Sequence, residues 1–321
     1  MMVAVVCFGE MLIDFIPTIS GVSLIDAPAF KKTPGGAPAN VAVGLSRLGI
    51  SSGFMGKVGD DPFGHYLVNT LVANNVDTLS VRYSCEARTA LAFISLTENG
   101  ERDFSFYRNP SADMLFSSNE VDESTIKLGK MFHFGSISLI VDPCRTATIY
   151  ALKIAKKNGL TISYDPNLRL NLWPDAKTAK EGIMYGWQFA NVIKVSEEEL
   201  YFLSHEDDLI KGVMNLWHTD LKVMLITRGA LGCTYITPDY YGEVSGYKVK
   251  VVDTTGAGDG FMAGLLKGIL KVPDALRNQN ELESICRYAN AAGALTTTRR
   301  GAIPGLPTQD QINELLKSNG Y

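Results

Sequence analysis

The stretch Asp253-Thr254-Thr255-Gly256-Ala257-Gly258-Asp259-Gly260-Phe261 holds residue types that could do chemistry together. Residues 256–258 carry no bulky side chain, so their backbone N–H groups can come close to a ligand. A short, mainly apolar run over 249–252 precedes them, and Phe261, Met262, Leu265, Leu266 and Ile269 follow at helical spacing. The pattern predicts strand, small-residue turn, helix. Amides at a helix N-terminus lack intrahelical partners and lie at the positive end of the helix dipole, which favours an anion. Asp259 is out of place there, because a carboxylate repels phosphate. Its presence makes sense if it takes the proton of a hydroxyl that attacks phosphorus. The plain alternative is a tight turn in which Asp259 is only a helix N-terminal charge.

The other elements must position this turn. Pro34-Gly35-Gly36-Ala37-Pro38-Ala39-Asn40 leads into a predicted helix, with Pro38 in its first turn and Gly49 at its stop. Strands are expected over 3–8, 52–58, 131–134, 160–164, 191–195, 223–227 and 249–252. Helices are expected over 61–74, 143–158, 176–188, 197–204, 207–217, 257–270, 281–296 and 309–318. Such alternation argues for an α/β body with a parallel sheet covered by helices, and ligands at the C-terminal strand ends. Asp14, Asp165, Lys194, Thr227 and Asp253 all follow strand candidates at that edge. Residues 80–108 read differently, with short strands over 81–83, 89–96 and 103–107 and a hairpin signal at Glu98-Asn99-Gly100-Glu101. Together with 15–34 they predict a small antiparallel sheet beside the main body, within one domain spanning 1–321.

Composition narrows the function classes. The 321 residues are 46% hydrophobic and 20% charged, as in a soluble globular chain. A net charge of −4 supplies no basic field for nucleic acid or an acidic membrane. There is no apolar run of transmembrane length, and the N-terminus lacks a basic n-region. Cys7, Cys85, Cys144, Cys233 and Cys286 are scattered without CxxC, which points to reduced thiols and a cytoplasmic location. The four histidines show no metal-ligand spacing. No G-x-x-x-x-G-K-[ST] occurs, and no protein-kinase motif set, so phosphoryl transfer here would use neither device.

With Gly35–Asn40 and Asp253–Asp259 in this order and separation, the chain resembles the ribokinase-type, or pfkB, carbohydrate kinases over nearly its whole length. Within them it is most similar to plant-type fructokinases, through the stretches 27–32, 106–113, 164–169 and 301–304. The resemblance implies a three-layer α/β/α body with a β-sheet lid formed by about 15–34 and 80–110. It implies transfer of the ATP γ-phosphoryl group to D-fructose at the 6-hydroxyl, with Asp259 as base and the amides of Gly256, Ala257 and Gly258 as anion hole. At an ordinary aspartate pKa of about 3.9, Asp259 would be ionised at neutral pH without tuning.

Asp14, Gly35, Gly36 and Asn40 match the family's sugar side, and Arg108 and Arg169 resemble substrate-side arginines. Lys194-Val195-Ser196-Glu197 stands where the family has Asn-x-x-Glu, an element tied to Mg²⁺ and phosphate. Thr227, Gly229 and Gly232 resemble the nucleotide-side turn, and Asn290 and Gly293 a helix near the adenine. The positions matching a K⁺ loop are Asp253, Thr255, Thr296, Arg299 and Gly301; where ribokinase has a serine ligand this chain has Gly305. A homodimer joined through the lid is also implied. The rival readings are another sugar kinase of this scaffold, for 2-keto-3-deoxygluconate or ribose, and a catalytically silent regulatory relative.

Overall fold

The computed structural model describes residues 3–19, 21–96, 102–272 and 274–321. The strand β1, Val5–Phe8, is an unbroken apolar run buried on both faces, as a central parallel strand must be. It pairs in parallel with β8, Met131–Phe134, on one side and β4, Ser52–Gly59, on the other. The nine-stranded sheet has the order β13-β12-β11-β10-β9-β8-β1-β4-β5. Here β5 is Val81–Ser84, β9 Thr161–Tyr164, β10 Val192–Ser196, β11 Val223–Thr227, β12 Gly232–Ile236 and β13 Tyr241–Ser245. All pairs are parallel except the edge hairpin β12–β13 and its junction with β11.

Two apolar cores flank this sheet. One joins it to α1 (Ala37–Arg47), α8 (Ala257–Lys271) and α9 (Gln279–Thr296) through residues such as Leu45, Met262, Leu266 and Ala289. The other joins it to α4 (Cys144–Lys157), α5 (Ala176–Trp187), α6 (Glu197–Ser204) and α7 (Leu209–Leu216) through Phe132, Ile162, Leu200 and Trp187. Helix, sheet and helix therefore form three layers. The remaining helices are α2 (Pro62–Ala73), α3 (Glu123–Leu128), α10 (Ala302–Gly305) and α11 (Gln309–Ser318).

A separate four-stranded sheet, in the order β3-β2-β6-β7, is the lid. Its strands are β2 (Leu12–Pro17), β3 (Phe30–Gly35), β6 (Leu91–Leu96) and β7 (Arg102–Tyr107). The cross-strand set Asp14, Ala92 and Phe106 shares one face, while Phe15 and Phe93 stack on the other at 4.8 Å.

Several expectations change. The segment 249–252 is not a strand: Val251 and Val252 are exposed, and the amides of Val252 and Asp253 donate to the Thr297 carbonyl beyond α9 rather than to a sheet. An apolar run that faces solvent gains nothing from a sheet interior. The strand at 81–84 extends the main sheet beside β4, so it is not part of the lid. The lid is mixed rather than antiparallel, because β2 and β6 run parallel. Asp14 lies within a lid strand, not at the end of a core strand. The hairpin signal at 98–101 lies outside the described residues.

Candidate active site

The turn before α8 is built from the inside. The Asp253 carboxylate accepts the Thr255 amide (2.9 Å) and hydroxyl (2.7 Å) on Oδ1, and the Gly301 amide (2.8 Å) on Oδ2. It thus pins the approach to the turn onto the loop before α10. Gly256 is left-handed, with φ of 79°, and a Cβ there would lie 2.6 Å from the Ala302 Cβ. Only glycine meets both demands. The Ala257 amide donates to the Thr254 carbonyl at 3.2 Å and closes the turn. Gly256, Ala257 and Gly258 line a cleft of about 690 Å³ between the lid and the C-terminal edge of the sheet.

Asp259, in the first turn of α8, is buried at that cleft. Its Oδ2 accepts a hydrogen bond from Asn40 Nδ2 at 2.8 Å. The contact follows from helix packing. One turn further along each helix, Gly44 of α1 meets Ala263 of α8 so closely that a Cβ on Gly44 would lie 2.6 Å from that of Ala263. Burial pushes the Asp259 carboxyl up to about 6, helped by the nearby Asp165 charge and opposed by Asn40, Lys194 and Arg169. The expectation of an untuned aspartate is therefore corrected. The group is mostly ionised at pH 7 but close enough to its midpoint to accept a proton readily.

Lys194, from β10, reaches the same turn. Its buried ammonium donates to both Asp165 oxygens, at 2.9 and 3.1 Å. A Cβ on Gly258 would lie 3.0 Å from Nζ. Two residues further along, Ser196 caps α6 while Glu199 Oε2 accepts the Ser196 amide at 2.8 Å, a reciprocal capping box. Glu199 Oε1 accepts the Leu168 amide at 2.6 Å. Polar-x-x-Glu thus occurs a second time, at Ser196 and Glu199, and it is this Glu, half-buried, whose charge lies near Lys194. Glu197 also lines the cleft but is half-exposed and pairs with Arg228 at 3.0 Å.

Asp14, Gly36, Asn40 and Arg169 also line the cleft, joined by Glu10, Leu12 and Phe106. Gly35 lies behind Asp14: a Cβ there would fall 2.2 Å from Asp14 Oδ2. Asp165 was expected at this strand edge without a role, and Glu10 was not singled out from the sequence. The Glu10 Oε1 accepts the Ala37 amide at 3.0 Å and so fixes the start of α1. Burial holds its carboxyl at about 7. Its place directly after β1 was the available signal. Thr227 and Gly229 line the opposite end.

Other expected residues stand apart from the cleft. Arg108 is buried in an ion pair with Asp113. Gly232 faces the β12–β13 hairpin, where a Cβ would lie 2.0 Å from the Val244 carbonyl oxygen. Asn290 Nδ2 donates to the carbonyls of Val244 (2.9 Å) and Ser245 (3.2 Å), tying α9 to β13. Gly293 lets α9 approach Ala257. The Thr296 hydroxyl donates to the Ala292 carbonyl within its own helix, and Arg299 is exposed. With Gly301 and the Asp253–Thr255 turn they border one loop region behind the anion turn.

Residues 2–309 match the pfkB family carbohydrate kinase. The chain is 56% identical to the probable chloroplastic fructokinase-6 of Arabidopsis thaliana, over 97% of this chain and 82% of that one. Among solved structures, a fructokinase from Xylella fastidiosa with bound ATP superposes with a TM-score of 0.92 at 32% identity, covering all of both chains. A double mutant of the Vibrio cholerae O395 fructokinase, in a form with fructose, ADP and potassium ion bound, gives 0.89 at 35% identity over 98% of each chain. On sequence, fold and the glycine turn beside a buried aspartate together, this chain belongs to the pfkB family of carbohydrate kinases.

Proposed function

We propose that the protein is an ATP-dependent fructokinase that makes fructose 6-phosphate. The observation that carries this reading is Asp259, buried at the glycine turn and oriented by Asn40 at 2.8 Å. In this reading ATP lies with its γ-phosphoryl at the amides of Gly256 and Gly258, flanked by the Lys194 ammonium. Thr227 and Gly229 border its nucleotide side. Fructose lies under the lid between Asp14, Gly36 and Asn40, with Arg169 beside it. Asp259 takes the proton of the 6-hydroxyl as its oxygen bonds to the γ-phosphorus. The bond from that phosphorus to the β,γ-bridging oxygen breaks, and ADP leaves. The lid keeps out water, which would otherwise compete as acceptor.

Magnesium, when bound, neutralises phosphate charge. It would need only one or two carboxylates from the protein, the rest of its shell coming from substrate phosphates and water. The cleft offers such a donor in Glu197, which we assign to a metal-bound water. For potassium, the carbonyl-rich loops at 253–255 and 296–301 suit a weakly hydrated cation. The Asp253 carboxylate is committed to Thr255 and Gly301 and shapes the loop. At position 305 a Cβ would lie 2.3 Å from the Thr296 carbonyl oxygen, so no side-chain ligand is accommodated there. We further assign a homodimer through the aromatic lid face, where Tyr107 is 64% exposed beside Phe93. Sedimentation of the free protein tests this. Five cysteines without a disulfide fit a reducing compartment, the cytoplasm in our reading, and cell fractionation would separate this from a plastid.

The deciding experiment is a coupled assay with ATP and Mg²⁺ on fructose, glucose, ribose and 2-keto-3-deoxygluconate. The highest kcat/KM is expected for fructose; a preference for another sugar overturns the substrate assignment. A silent regulatory role, which would show no turnover on any sugar, is disfavoured by the intact Asp259, Gly256 and Gly258.

A further inference from the structure

Lys194 and Asp165 form a buried pair at the floor of the cleft. We propose that Lys194 is a catalytic electrostatic clamp on the transferring phosphoryl group and that Asp165 is the positioning residue that aims it. The proposal rests on the kinase reading above and deepens it.

The geometry is specific. Lys194 leaves the sheet at β10 and Asp165 directly follows β9, its parallel neighbour. The carboxylate takes the ammonium with both oxygens, at 2.9 and 3.1 Å, while Asp165 Oδ1 also accepts the Asn167 amide at 3.2 Å. That amide fixes the carboxylate, and the carboxylate fixes Nζ. The place Nζ occupies is 3.0 Å from where a Cβ on Gly258 would stand. Any residue but glycine at 258 would therefore press on the ammonium, and a group seated on the turn meets it directly.

Burying a lysine is unfavourable unless its charge is matched. Asp165 matches it in the resting enzyme, with Glu199 of α6 close by, and Lys194 stays charged as a result. A phosphoryl group passing through its transition state spreads negative charge over equatorial oxygens. An ammonium already desolvated and already aimed meets that charge with no reorganisation, the condition under which electrostatic stabilisation is strongest. A polar but uncharged side chain at position 194 would give orientation without charge. The lysine supplies charge from the protein itself, in addition to what the nucleotide's metal brings.

The same pair acts on the base. Asp259 faces Lys194 from β10, Asp165 and Arg169 from the segment after β9, and Asn40 from α1. Asp165 raises the Asp259 carboxyl and Lys194 lowers it. Removing one or the other should thus move the acidic limb of the rate profile in opposite directions, a signature that loss of structure does not produce.

The test uses the full-length enzyme and its Lys194→Met, Asp165→Asn and double variants, assayed with ATP, Mg²⁺ and fructose. Lys194→Met is expected to lower kcat by about 10²–10³-fold, the effect of losing one well-aimed electrostatic donor, with the KM for fructose within about threefold of wild type. Asp165→Asn is expected to lose part of that kcat and to shift the acidic limb down, while Lys194→Met shifts it up. The double variant should be no slower than Lys194→Met, because Asp165 acts through the lysine. Should a single variant fail to fold, the double variant, which removes both members of the ion pair together, still reports kcat. Retention of wild-type kcat by Lys194→Met or by the double variant overturns the clamp. Full additivity of the two losses overturns the positioning role of Asp165. Absence of turnover in the wild-type enzyme on every sugar would instead overturn the kinase reading itself.

Discussion

Lowering the pH should switch the enzyme off well above the range in which an ordinary aspartate titrates. Burial and the Asp165 charge hold the Asp259 carboxyl at about 6. If it must be ionised to accept the proton, about 90% of the enzyme is competent at pH 7, half at pH 6 and about a tenth at pH 5. An exposed aspartate, near 3.9, would still be over about 90% ionised at pH 5. The expected fall in kcat/KM for fructose from pH 7 to pH 5 is therefore about tenfold rather than about a tenth of the rate. A continuous assay of ADP release with saturating ATP and Mg²⁺ measures it, with melting curves at each pH to exclude unfolding. The Asn40→Ala variant supplies the control. Its lost hydrogen bond lowers the Asp259 carboxyl in the native enzyme, so the limb should move to higher pH in the variant. A titration of ATP would not move. A flat profile between pH 5 and 7, or an Asn40→Ala limb that coincides with wild type, refutes the reasoning.

Three more outcomes are expected. Asp259→Asn should lose about 10²–10⁴-fold in kcat while still binding ATP by calorimetry. The same variant should melt higher than wild type at pH 7.5: the folded carboxyl lies near 6 and its ordinary value near 3.8, so ionisation opposes folding above 3.8 and does so fully above about 6. That penalty, about 3 kcal/mol at most, vanishes below the unfolded pKa, and the difference in melting temperature should close as pH falls towards 4. Gly256→Ala should cost about 10²-fold or more in kcat with little loss of fructose binding, because its Cβ would meet Ala302 and displace the anion turn; wild-type kcat would remove that turn from the mechanism. Activity in K⁺ should exceed that in Na⁺ at equal ionic strength, and identical rates would remove the potassium assignment.

What could be read from the sequence was what depends on local rules. The glycine turn before α8, the helix α6 and the buried strands β1, β8 and β11 follow from spacing, turn chemistry and continuous apolar runs, and each stands where those rules put it. What escaped depends on contacts between distant segments. The run at 249–252 has strand-like residues but no neighbour to pair with, so it stays a loop. The edge hairpin β12–β13 was not anticipated, because nothing local marks the end of a parallel sheet. Arg108 and Asn290 carry the right chemistry for a ligand, yet Asp113 and the carbonyls of β13 take them first. Glu199 and Glu197 are two residues apart on α6, and only the fold decides that Glu199 takes the Ser196 and Leu168 amides while Glu197 pairs with Arg228.

The fit of Gly44 against Ala263 has a consequence for engineering. Neither residue touches the cleft, yet the two set the separation of α1 and α8 one turn from the Asn40–Asp259 contact. The alignment of the base is therefore gauged in the interior. Mutational libraries confined to cleft-lining positions would leave this gauge fixed. A methyl group added at position 44 would spread the helices and loosen the hold on Asp259 with every cleft residue unchanged. Attempts to retune the enzyme for other acceptors have two separate handles: the lid, under which we place the sugar, and the helix spacing, which sets the reach of Asp259.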